Sequence, residues 1–137
     1  MKYAALTGRI LFSLIFLAGG LGHFSAQSIG YAASQGVPLA SVLVPISGVI
    51  SIAGALSILL GYKAKLGAWL LVIFLVPVTL MLHKFWTIQD PMMRQMDMVM
   101  FMKNLGLLGG ALFIAFFGAG PASIDNKAKA AQSPSFA

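Results

Sequence analysis

The chain reads as an all-α integral membrane protein, a four-helix antiparallel bundle with both termini cytoplasmic. Three observations predict this. Of its 137 residues 59% are hydrophobic and only 9% charged, against roughly 25% charged in a soluble domain. The mean hydropathy of +0.92 describes more apolar surface than a fold this small can hide from water, and a bilayer supplies the missing partner. The apolar residues also fall into four long stretches, with the basic residues concentrated in alternate connections.

The stretches are Leu6–Phe24, Leu39–Gly61, Leu66–Leu82 and Met98–Phe117. At ~1.5 Å of rise per residue, each reaches most or all of a ~30 Å hydrocarbon core. Helix is the only suitable form, because an open strand leaves its backbone polar groups unsatisfied in lipid. The first stretch, "MKYAALTGRILFSLIFLAGG", also resembles a secretory signal with a basic start and small residues near a cut; it is kept here as a span. Pro45 and Pro77 lie inside the second and third spans, where each removes a helical hydrogen bond and frees a carbonyl that could line a cavity. Small residues at Ser47, Gly48, Ser51, Gly54 and Ala55, at Gly19, Gly20 and Gly22, and at Gly106, Gly109 and Gly110 predict seams where helix backbones approach closely.

Lys2, Arg9, Lys63, Lys65, Lys127 and Lys129 flank the same ends of the spans. The first loop, Ser25 to Pro38, has no basic residue, and the third offsets Lys84 and Arg94 with Asp90 and Asp97. The positive-inside rule then puts both termini in the cytoplasm; Lys103 alone runs against the pattern. Residues 1–120 form the membrane domain, and residues 121–137 are expected as a polar, largely disordered cytoplasmic tail. The net charge of +6 is accounted for by topology and needs no nucleic acid.

The few polar residues gather at one depth. His23 closes the first span and His83 the third, and both spans run outward; the fourth begins on that side and carries Lys103 and Asn104, with Trp86 in the loop before it. They predict a polar cap or pocket at the outer mouth of the bundle. Lys103 either snorkels to the headgroups or turns inward to an acceptor. The histidines read as interfacial residues, as a proton relay, as haem ligands or as part of a pocket for a flat organic molecule. A quinone suits that set, since it offers carbonyl acceptors and a ring to donors and aromatic faces. The methionines, most of them within Met92–Met102, are spread round their helix and form no metal site. With no cysteine and no glutamate, thiol chemistry and glutamate-pair catalysis are absent.

Several segments together resemble the DoxX family of small bacterial inner-membrane proteins, over about Gly8 to Asp125. They are "GRILFSLIFLAGGLGHF", "GVP" at Gly36–Pro38, "GALSILLGYKAKLGAWLL", "LVPVTLMLHKFW", "FMKNLGLLGGALFIAFFGAG" and "PASID". The resemblance implies a four-helix membrane bundle and a quinol-linked oxidoreductase component, the family's name coming from a subunit linked to thiosulfate:quinone oxidoreductase. Many members carry a glutamate in the second helix; here "ISIAGALSILLG" puts Ser51 or a neighbour in that place, so chemistry resting on that glutamate is not carried over. His83, Trp86, Lys103 and Asn104 fall on the better-matched segments.

Two functions are expected to compete. One is a quinone- or phenol-linked redox component that works with a partner subunit or as a homo-oligomer and takes its ligand near His23, His83, Trp86, Lys103 and Asn104. The other is a non-enzymatic scaffold or assembly factor for a partner complex. A solute carrier is a distant third, as four spans without an internal repeat suit it poorly.

Overall fold

The computed structural model describes residues 2–132. Its order is α1 (Lys2–Gly22), α2 (Ala26–Ser34), α3 (Ala40–Leu60), α4 (Ala64–Leu82), α5 (Pro91–Phe117) and α6 (Ile124–Gln132), with one 3-10 turn at Phe85–Thr87. No strand occurs among the described residues. Helices α1, α3, α4 and α5 are long and apolar enough to cross a membrane, in agreement with the sequence.

Local chemistry fixes the ends of these helices. The Asp90 carboxylate accepts from the Met93 amide at 2.8 Å, and Pro91 occupies the first helical turn, where a missing N–H costs nothing. Helix α5 therefore starts at Pro91 and not at Met98, and Arg94, Gln95 and Asp97 are helical. The first loop holds helix α2, which Ser25 caps by accepting from the Ser28 amide. Between α3 and α4 the chain reverses through Gly61 and Lys63, both left-handed at φ 65° and 48°. Glycine at the first of these adopts that conformation without Cβ strain. The expected disordered tail is in part a helix, α6; residues 133–137 lie outside the described residues.

Helix α1 packs on α3, α3 on α4, and α4 on α5. The core between them contains Phe16, Ala55, Ile58, Ala68, Leu71, Phe74, Leu75 and Ala111. Two seams are backbone-close. A Cβ on Gly48 would stand 2.9 Å from the Gly20 carbonyl oxygen, and one on Gly54 would stand 2.8 Å from that of Gly67. In lipid, where apolar burial drives helix association little, such approach supplies the attraction through dispersion. Not every expected seam forms: Gly19, Gly22, Gly106 and Gly109 face open space, and Gly110 meets Phe12.

The spans are antiparallel, so each end of the bundle collects distant pieces of chain. At one end Arg9, only 4% exposed, donates from Nη2 to the Ala122 carbonyl at 2.6 Å. There too Asp125 accepts from the Lys63 and Ala64 amides at 2.8 and 3.0 Å, and Lys65 Nζ donates to the Phe116 carbonyl at 2.7 Å. A helix start with no cap of its own is thus closed by a side chain from α6. At the other end Lys84 Nζ donates to the Gln35 carbonyl at 3.1 Å, fastening the third loop to the end of α2.

Candidate functional site

A cavity of about 650 Å³ opens at the histidine end, bounded by the end of α1, by α2, by the first half of α3 and by the second half of α4. Pro77 faces it, as do Val44, Ile50, Phe74, Val78 and Met81, so most of the wall is apolar. His23, Gln27, Ser28, Tyr31 and Ser47 supply the polar groups. This is the size and character of a pocket for a compact organic molecule.

The partners of His23 argue for one tautomer. The Ser47 hydroxyl donates its one hydrogen to the Val44 carbonyl at 2.7 Å, so across the 2.8 Å contact with His23 Nδ1 it acts as acceptor. Nδ1 therefore carries a hydrogen, and in the neutral ring Nε2 is left as an acceptor. The ring also packs on Phe74, with centroids 5.5 Å apart. Burial lowers the His23 pKa below its ordinary 6.5, opposed by the nearby Val44 backbone carbonyl. Burial first, and then the Asp97 charge, raise the Tyr31 phenol above its ordinary 10.0. Tyr31 donates weakly to the Leu82 carbonyl at 3.3 Å. Both groups are thus neutral at pH 7.

The His23 shift has a consequence for stability. Unfolding exposes an imidazole that takes up a proton near pH 6.5, while the folded one resists until lower pH. His23 therefore leaves stability intact above about pH 6.5 and erodes it as the pH falls through the lower, folded value. Thermal midpoints in detergent should drop between pH 7.5 and 5, and His23→Gln should flatten that part of the slope. An unchanged slope in the variant would remove this assignment.

The predicted residues are not one cluster. Of the five, His23 alone lines the cavity. His83 Nδ1 lies 2.9 Å from Asp97 Oδ1, an α5 carboxylate whose other oxygen is buried without a partner. Trp86 is 52% exposed and sits edge-on to Phe85 and Phe101, with centroids 5.2 and 5.9 Å away. Lys103 is exposed, whereas Asn104 next to it is buried. Both depth and azimuth separate them. His23 packs on Phe74, more than two helical turns before His83 on α4, and α4 turns Phe74, Pro77 and Met81 toward the cavity while His83 pairs with Asp97 of α5. A bis-histidine haem site is not formed, since the two rings belong to separate contacts. Among the described residues no three potential metal ligands of the His, Cys, Asp or Glu type come together.

What the sequence reading missed is α2 and its contribution. Gln27, Ser28 and Tyr31 share one helical face, and Ser25 stands before them as a cap. That i, i+1, i+4 spacing after a capping serine was the available signal. Ser47, expected as a small packing residue, holds His23 in place.

Residues 1–131 match the model of the SURF4 family. Inner membrane protein YqjF of Escherichia coli (strain K12) is 30% identical over 122 residues, covering 88% of each chain. Inner membrane protein YphA of the same organism is 27% identical over 124 residues, covering 89% of this chain and 88% of that one. The Surfeit locus protein 4 homolog of Schizosaccharomyces pombe is 27% identical over 128 residues, which span 93% of this chain and 38% of the relative. No solved structure gives a significant match. The family model matched is SURF4; the resemblance to the DoxX family rests on the sequence segments alone.

Proposed function

The chain belongs to the SURF4 family, and we propose that this integral membrane protein binds a small lipid-soluble phenol or quinol in the His23 cavity. It is a multi-pass protein of the inner membrane type, as its Escherichia coli relatives are. The positive-inside rule places the histidine end outside and both termini in the cytoplasm. One observation carries the ligand class: His23 Nδ1 is committed to Ser47, so neutral Nε2 accepts, and a ligand hydroxyl is what it can accept from. The apolar wall takes the ring and its substituents. A quinone carbonyl, which needs a donor, would pair with His23 only in its protonated form. The resemblance to the DoxX family supports the further reading that the ligand is redox-active and that a partner subunit exchanges its electrons.

Binding tests it. Purified protein in nanodiscs should bind a short-chain quinol, and His23→Leu should weaken binding by about tenfold, the loss expected for one buried hydrogen bond left unmade. Ser47→Ala should weaken it less, by releasing the ring. Affinity unchanged in His23→Leu, or no binding to the wild type, would overturn the proposal.

A scaffold role is favoured by one feature. Only 11% of the α5 span is buried, against 33% for α3 and α4, and α5 packs chiefly on α4. Its outer face is available to a partner's membrane helix. Recovery of one stoichiometric membrane partner in mild detergent, lost on Phe113→Ser, would establish this role. Full cellular function without such a partner would exclude it.

A further inference from the structure

The opposite end of the bundle holds a second cleft, of about 540 Å³, bounded by the α3–α4 turn, the end of α5 and helix α6. We propose that it binds the phosphate headgroup of an anionic phospholipid. Lys63, Lys65 and Lys129 face it, with Asp125 the one carboxylate among the described residues on its wall. Both Asp125 oxygens already accept backbone amides of the α4 start, so that charge is directed into the helix end. The cleft is left net positive. Lys65 gives one hydrogen to the Phe116 carbonyl and keeps two for other acceptors.

Depth identifies the ligand as a lipid. The span of α4 opens at Ala64 and that of α5 closes at Phe117, so the lysines stand where the apolar layer gives way to headgroups. Leu66 and Phe117, 60% and 71% exposed, form the membrane-facing edge of the same cleft. A phosphate bound among the ammonium groups would lay its acyl chains along these two side chains. A soluble phosphate would make no use of them. Basic clefts between helices on the cytoplasmic side are suited to acidic headgroups, and this proposal is independent of the ligand at the histidine end.

The test is lipid retention, read by native mass spectrometry on protein extracted from vesicles of equal phosphatidylglycerol and phosphatidylcholine. The wild type should retain phosphatidylglycerol by about thirtyfold or more over phosphatidylcholine, the preference expected of at least two interfacial lysines. Lys63→Gln with Lys65→Gln should bring the ratio near unity, and Lys63→Arg with Lys65→Arg should restore it. Arg94→Gln, at the far end of α5, should leave it unchanged. Lys129→Gln alone should lower it, which keeps the proposal open to refutation should the double variant not fold. Equal retention of the two lipids by the wild type, or undiminished preference in the glutamine variants, overturns the proposal. Displacement by millimolar glycerol phosphate also overturns it, because the cleft would then be a soluble-phosphate site.

Discussion

Gly67→Val is expected to force α3 away from α4 and to destabilise the bundle by about 3 kcal/mol or more. A Cβ at Gly67 would lie 2.5 Å from the Ser57 Cβ and 2.9 Å from the Gly54 carbonyl oxygen. Neither atom can move aside. The first belongs to a serine whose hydroxyl bonds the Tyr62 and Lys63 carbonyls, and the second is helix backbone. The helices must shift apart, and with them Leu71 and Ile58, both 0% exposed. Overpacking of a fitted core costs roughly 1–3 kcal/mol and occasionally more; a branched side chain forced against backbone belongs at or above the top of that range. Thermal unfolding in detergent should show a large fall in midpoint for Gly67→Val and a smaller one for Gly67→Ala. Gly109→Ala, a site with nothing within 4 Å, should be neutral or mildly stabilising through helix propensity. A Gly67→Val protein as stable as the wild type would mean that the α3–α4 seam is wrongly described.

Asp125→Ala is expected to release α6 and unsettle the start of α4. It removes the acceptor of two amides, Lys63 and Ala64. The two losses are unequal: Lys63 is exposed and its amide can turn to water, whereas Ala64 is 0% exposed and its amide is left bare. Hydrogen bonds to a charged group contribute about 1.5–3 kcal/mol each, and leaving a buried donor unmet carries the full desolvation penalty. The buried Arg9 also loses the carboxylate whose charge acts on it. A total near 3 kcal/mol follows from these terms. Asp125→Asn, which keeps one acceptor, should lose about half as much. Trypsin cleavage after Lys127 and Lys129 should accelerate in step. Unaltered cleavage and an unaltered midpoint in Asp125→Ala would show that the cap contributes nothing.

The four spans were legible because bilayer thickness sets a length that hydropathy reports directly. Pro45 and Pro77 were placed inside helices for the same reason, and Pro77 does face the cavity. The start of α5 was misplaced because Arg94 and Asp97 looked like loop residues, when the cap at Asp90 lets them ride on a helix that outruns the hydrocarbon layer. The site was not legible. His23 closes its helix beside Phe74, more than two turns before His83 along α4; hydropathy gives neither that offset nor an azimuth, and the spans are so uniformly apolar that no polar face marks which side turns inward. Arg9 and Asp125 were read as topology markers and tail; their roles depend on chain 113 residues away in one case and 62 in the other. Contacts of that separation leave no local periodicity to detect.

The capping of α4 by Asp125 also sets an order of assembly. A ribosome delivers Ala64 to the membrane well before it polymerises Asp125, so the third crossing segment inserts with a bare amino end and waits for a stretch made after the fourth crossing to complete it. A polypeptide cut short after the fourth crossing therefore keeps every span yet lacks the residue that closes an earlier one.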